Sequence, residues 1–186
     1  MILLSILIPT IKRHDEFFTR LFLELSRQII PYEGQVEILV DDHETDSTGT
    51  KRNRLLERAK GEWLSYIDAD DWISNNYVSL LMEAIETDCD CVSLKGMYSV
   101  DGKQDGIFEH SLRYKEWKTT TNEVKYERYP TPLNTVRSSV AKQFKFPEIT
   151  FGEDHAWSKL VHESGLLKKE YYIPEIIYYY NYQSKK

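Results

Sequence analysis

Residues 61–74 read GEWLSYIDADDWIS, an apolar run that ends in three carboxylates, Asp68, Asp70 and Asp71. The run WLSYID (63–68) is short and rich in aromatic and branched side chains, the composition of a buried strand. Two other runs share that character, ILLSILI at 2–8 and VEILVD at 36–41. Helical repeats separate them. Phe17, Phe18, Leu21, Phe22 and Leu25 recur at helical spacing behind Asp15, and Leu55, Leu56 and Ala59 recur ahead of Gly61. Strand alternating with helix predicts an α/β class: a Rossmann-like, doubly wound, mostly parallel sheet with helices on both faces.

Further along, the pattern predicts a third helix from about Asn75 to Thr87, with Tyr77, Leu80, Leu81, Ala84 and Ile85 on its apolar side. CDCVSLKGMYSV (89–100) reads as strand, and VDGKQDG (100–106) turns the chain. Residues 107–129 mix charge with Tyr and Trp and read as irregular or antiparallel strand. A short helix is expected from about Val136 with Thr135 as cap. A longer one is expected in GEDHAWSKLVHESG (152–165), with Trp157, Leu160 and Val161 facing a core and Gly165 stopping it. Tyr-rich EYYIPEIIYYYNY (170–182) closes the chain as strand, giving a small antiparallel C-terminal part; its rings are read as core and surface packing. At 186 residues the chain fits one domain, 1–186.

Composition excludes some partners. Against 30 Asp and Glu stand 24 Lys and Arg, and the net charge of −6, with no basic block, argues against nucleic acid. The apolar start MILLSILIPTIKR has no basic segment before it and is too short to span a bilayer, so the expectation is a cytoplasmic protein with no integral membrane segment. On a strand, Cys89 and Cys91 would sit about 7 Å apart, beyond the roughly 4 Å between Cβ atoms of a disulfide. They are read as core thiols of a reducing compartment.

In an open parallel α/β sheet, ligands bind outside the carboxyl ends of the strands. Pro9 and Thr10, Asp41 and Asp42, and the DADD cluster all fall there. Clustered carboxylates repel unless a cation relieves them, and Asp-x-Asp oxygen ligands suit Mg²⁺ or Mn²⁺ with positions left open for phosphate oxygens. The plainer reading of DADDWIS is an acidic turn with Ser74 capping the next helix. Lys51, Arg52 and Arg54 open the second helix near the same rim, where cations and free N–H groups can meet an anion. This is not a phosphate-binding Gly-x-x-x-x-Gly-Lys loop, because Thr50 follows Gly49 and Glu44 stands where the earlier glycine belongs. Glu153 and Asp154 open a helix, where the dipole favours the ionised form, and an ionised carboxylate can take a proton from a hydroxyl. His155 and His162 are read as surface residues.

Together SILIPTIKR (5–13), VEILVDDHETDS (36–47), KRNRLLERAKGEWLSYIDADD (51–71) and FGEDHAW (151–157) resemble, in that order, glycosyltransferase family 2, the inverting, nucleotide-sugar-dependent enzymes of the GT-A fold. The resemblance implies that Thr10 and Asp42 face the nucleotide base. It makes Asp68 and Asp70 the Asp-x-Asp pair, with Asp70 the direct metal ligand and Asp71 its alternative. It also implies that Arg52 reaches the diphosphate and that Asp154 is the general base. The implied cofactor is Mn²⁺ or Mg²⁺, the donor a nucleotide-diphosphate sugar, expected to carry UDP, and the acceptor a carbohydrate such as a surface polysaccharide. Residues 1–100 would form the nucleotide-sugar half, and 101–186 the acceptor half with the base. The family's usual helix and strand between DDHETDS and KRN are missing here. No Gln-x-x-Arg-Trp motif occurs, which points to single-sugar transfer rather than a processive polymerase. Two alternatives remain at this stage: a non-catalytic sugar-binding module of the same fold, and a haloacid-dehalogenase-like phosphatase, whose Thr or Val position is Trp72 here.

Overall fold

Leu4–Pro9 forms β1, the strand on which the molecule is built, and every one of its side chains is buried. The computed structural model describes residues 1–184. After β1, a 3₁₀ turn at Lys12–His14 leads into α1 (Asp15–Ile29), then β2 (Val36–Asp41), α2 (Thr48–Arg58), β3 (Trp63–Tyr66), β4 (Trp72–Ile73) and α3 (Tyr77–Ile85). There follow β5 (Cys91–Val92), β6 (Leu94–Val100), β7 (Lys103–His110), β8 (Lys118–Thr119), β9 (Val124–Arg128) and β10 (Val136–Arg137). The chain ends with α4 (Ser138–Ala141), α5 (Glu153–Ser164), β11 (Glu170–Tyr171) and β12 (Tyr178–Tyr182).

The first sheet has the order β11-β5-β10-β3-β1-β2. Strand β1 pairs in parallel with β2, Leu4 opposite Val36, and with β3, Leu4 opposite Trp63. Only β10 opposes its neighbours β3 and β5. Period-two alternation sends Leu4, Ile6 and Ile8 into one core with Leu21 and Leu25 of α1 and Val78 and Leu81 of α3. Leu7 points the other way, into a core with Leu55 and Leu56 of α2 and Trp157 and Val161 of α5. Helices thus cover both faces, and each fully buried Leu or Ile contributes roughly 1.5–3 kcal/mol.

The second sheet, β4-β12-β6-β7-β9-β8, is mixed rather than purely antiparallel. Strand β12 runs parallel to β6, and β7 parallel to β9. The hairpin between β6 and β7 turns at Asp101 and Gly102, both at positive φ (49° and 78°), the Asp-Gly geometry that matches strand twist. Strands β10 and β11 and helices α4 and α5 belong to the second half of the sequence yet complete the first sheet and its cover.

Several local expectations shift. The segment 89–100 is two strands in different sheets, parted at Ser93. Val136 lies on β10, not in a helix, because Val136 pairs with Leu64 and with Cys91. Helix α2 ends at Arg58 with Ala59 extended, so Gly61 does not cap it. Ser74 is not the cap of α3, whose first turn follows Asn76. The tyrosine-rich end is split into β11 and β12, and Leu160 is 47% exposed on the outer side of α5. Cys89 and Cys91 are free and buried.

Candidate active site

The carboxyl ends of β1 and β3 and the N-terminus of α5 surround a cleft of about 260 Å³. Its walls include Thr10, His14, Lys51, Arg52, Asp68, Asp70, Glu153, Asp154 and Tyr180. Thr10 is held there because its N–H donates to the Asp41 carbonyl at 2.9 Å, extending the β1–β2 ladder by one residue. Beyond β3 the Ile67 N–H donates to the Leu7 carbonyl (3.0 Å), which carries the following Asp loop onto the same rim.

Arg52 joins the two acidic segments. Its Nη2 donates to Asp68 Oδ1 at 2.7 Å and its Nε to Glu153 Oε1 at 3.2 Å, while the guanidinium lies over the Tyr66 and Phe146 rings. The Arg52 side chain is 3% exposed, and burial costs it charge stabilisation that the carboxylates of Asp68, Glu153 and Asp154 more than return, so its pKa rises. Its Nη1 is buried with no partner among the described residues. Burial raises the Glu153 pKa against the pull of Arg52. Arg52 therefore tethers Asp68 and Glu153 to each other at the wall of the cleft.

Asp70 Oδ2 lies 3.5 Å from His14 Nε2. Asp71 is committed inward: Tyr178 Oη donates to its Oδ2 at 2.7 Å and the Asn181 N–H to its Oδ1 at 2.9 Å. Burial, with Asp68 and Asp70 adding repulsion, raises the Asp71 pKa well above the carboxylate range. The same Tyr178 hydroxyl accepts from the Asp68 N–H (3.2 Å), so β12 clamps the acidic loop. Both Asp71 oxygens are thus bonded within the protein, and Asp70 lines the cleft beside it.

The remaining basic residues divide. Lys51 lines the cleft with Nζ on the Thr10 carbonyl at 2.7 Å, and burial lowers its pKa. Arg54 turns away from the cleft, gripping Asp41 through Nε (2.7 Å) and Nη2 (2.9 Å) and Asp46 through Nη1 (2.6 Å). Asp42 is exposed and is not among the cleft-lining residues; its neighbour Asp41 is the one built into the structure. The short link between β2 and α2 works because Ser47 caps the helix, its Oγ accepting from the Thr50 N–H at 3.2 Å.

Asp154 sits in the first turn of α5 behind Gly152, whose φ of 85° is a left-handed conformation that favours glycine. Asp154 borders two hollows, the cleft and a neighbouring one of about 210 Å³ walled by Tyr98, Trp117, Tyr126, Arg128 and Tyr180. Tyr98 stacks on Tyr180 at 5.3 Å between centroids, 8° from coplanar.

Neither motif spacing nor periodicity in the sequence points to Arg13, His14 or Arg128. Arg13 and His14 follow the first strand directly, in the position that the rule of strand ends already marks. Arg128 lies in a stretch where no periodicity shows.

A family model described as Glycosyl transferase family 2 matches residues 49–149. Among solved structures the chain resembles S. aureus TarS 1–349 in complex with UDP, at 20% identity and a TM-score of 0.73 over 97% of this chain and 60% of that one. The same TarS segment in complex with UDP-GlcNAc gives 17% identity and a TM-score of 0.71 over 100% of this chain and 60% of that one. A structure of S. aureus TarS gives 17% and 0.68 over 97% of this chain and 37% of that one. At these identities the likeness establishes the GT-A fold, and the chain spans at most 60% of these TarS structures. No curated protein matches the sequence. Among the described residues no helix is long and apolar enough to cross a membrane. The family match takes in Arg52, Asp68 and Asp70 and more than half of the chain, and the chain belongs to glycosyl transferase family 2.

Proposed function

We propose that this protein transfers a sugar from a nucleotide-diphosphate donor to a hydroxyl of a carbohydrate acceptor, with inversion at the anomeric carbon. The observation that carries this reading is the convergence of Asp68 and Asp70 from the end of β3 with Asp154 from α5 on one cleft, braced by Arg52. The family membership supports transfer over the phosphatase alternative. UDP in the TarS structures supports a uridine donor.

In this reading Arg13 and Lys51 draw the diphosphate to the cleft by their charge. Asp154 accepts the acceptor's hydroxyl proton on its carboxylate as that oxygen bonds to the anomeric carbon. The bond from that carbon to the diphosphate breaks on the opposite face, and its electron pair leaves with the diphosphate. Tyr178 and Arg52 hold the acidic loop in place throughout.

Among the described residues no three His, Cys, Asp or Glu side chains form a closed metal cage. A pair of carboxylates with open positions is the donor set of Mg²⁺ or Mn²⁺ held jointly by protein and substrate phosphates, so the residues fit. Asp70 and Asp68 would hold the ion, which when bound supplies positive charge to the departing diphosphate. We place the donor against the first sheet and the acceptor against the second, with Asp154 between them. Incubating the protein with α-linked UDP-sugars and an oligosaccharide panel tests the reading: β-linked product seen by NMR supports it, and retained configuration overturns it.

A further inference from the structure

The hollow beside Asp154 contains a cation, Arg128, that has no carboxylate partner among the described residues. Arg128 lies over the Trp117 ring (5.1 Å to its centroid) and the Tyr126 ring (5.6 Å), and its Nη1 donates to the carbonyls of Lys118 (2.7 Å) and Glu127 (2.8 Å). Burial lowers its pKa, the direction expected of a guanidinium that has lost water without gaining an anion. The other basic side chains nearby differ: Lys125 is paired with Asp105 at 2.8 Å, and His110, buried in the same hollow, is pushed down to about 3 and stays neutral.

An uncompensated, partly desolvated arginine in an aromatic hollow is costly unless a ligand supplies the negative charge. Its hydrogen bonds to the two carbonyls use Nη1 alone, and a guanidinium meets a planar anion bidentately through two of its nitrogens. Tyr98, packed against Tyr126 and Tyr180, gives the hollow an aromatic wall, and the Asp154 carboxylate lies on its border. We infer that this hollow selects an acceptor carrying an anionic group, a carboxylate or a phosphate on the sugar, with Arg128 as the specificity-determining residue. The inference rests on the proposed transferase reading and adds the charge of its acceptor.

Titration of the full chain, in the presence of Mn²⁺, with UDP, methyl β-glucuronide, glucose 6-phosphate and methyl β-glucoside, followed by calorimetry, tests it. The expected result is that at least one charged sugar binds about tenfold more tightly than the neutral glucoside, the weight of one charge-assisted hydrogen bond. Which charged sugar binds distinguishes a carboxylate from a phosphate. In Arg128→Gln the preference is lost, and in Arg128→Lys it is partly kept. Equal binding of charged and neutral sugars, no sugar binding at all, or a preference that survives in a folded Arg128→Gln overturns the inference. Should that variant fail to fold by circular dichroism, the comparison of sugars on the unmodified protein decides alone. UDP binding is read separately: its absence counts against the donor cleft, whereas UDP binding with no anion preference counts against Arg128 only.

Discussion

Arg52 and Asp68, sixteen positions apart in sequence, meet at 2.7 Å at the wall of the cleft, and the same guanidinium reaches Glu153 at 3.2 Å. The ends of β3 and α5 are therefore fixed to each other by one side chain of α2. Removing it strands two carboxylates. Arg52→Met is expected to cost about 3 kcal/mol or more in urea unfolding, as for other broken buried ion pairs. Arg52→Lys recovers part, because an ammonium cannot span both partners with a planar fork. Unchanged stability in Arg52→Met would contradict this bracing role.

Asp154 is the residue assigned to the proton. Asp154→Asn preserves size and hydrogen bonding but cannot take a proton from a hydroxyl, so transfer should fall by about 10²–10⁴-fold while UDP affinity holds. Steady-state rates and calorimetry on the same preparation check both halves. Loss of UDP binding alongside transfer would instead make Asp154 part of the donor site.

Gly49 opens α2 against the 147–149 segment, with its N–H on the Ile149 carbonyl at 3.0 Å. A Cβ there would lie 1.8 Å from the Pro147 carbonyl oxygen, so backbone must move to admit it. Gly49→Ala should lower stability by about 1–3 kcal/mol, visible as a lower Tm. An unaltered Tm would show that the segment yields freely.

His110 gives a pH signature. Burial, with Arg128 adding repulsion, holds the imidazole down to about 3, its Nδ1 3.0 Å from Thr131 Oγ1. The unfolded chain protonates His near about 6.5. The stability that comes from keeping this ring neutral is complete above about 6.5 and is lost as pH falls toward the folded value, with a slope of up to about 1.4 kcal/mol per pH unit. Urea titrations of His110→Gln between pH 7 and pH 4 should show a flatter acid decline than the unmodified protein. Parallel declines would place the acid sensitivity elsewhere.

Much of the first half was legible in the sequence because β1, β2 and β3 are stretches whose side chains are mostly or partly buried, alternating with helices whose periodicity shows locally. Strands β5, β10 and β11 are two residues each and carry no period, so only their partners define them. Strand β12 lies between β4 and β6, a placement set by pairings with residues far away in sequence. At the site, the acidic loop and the start of α5 were visible from charge at element ends. The inward turn of Asp71 was not, since it depends on Tyr178 and Asn181, and neither was the burial of Arg52, which depends on Glu153. The resemblance points to Asp42, but in the fold it is Asp41 that Arg54 binds with two nitrogens, a pairing that adjacent identical residues in a sequence do not reveal.

The most direct measurement is calorimetric titration of the protein with UDP, in Mn²⁺ and in chelator, alongside Asp70→Ala. The account predicts binding that needs the ion and weakens about tenfold or more in the variant, a change of about 1.4 kcal/mol. No binding under either condition, or equal binding with chelator and in Asp70→Ala, would contradict a donor site at this cleft.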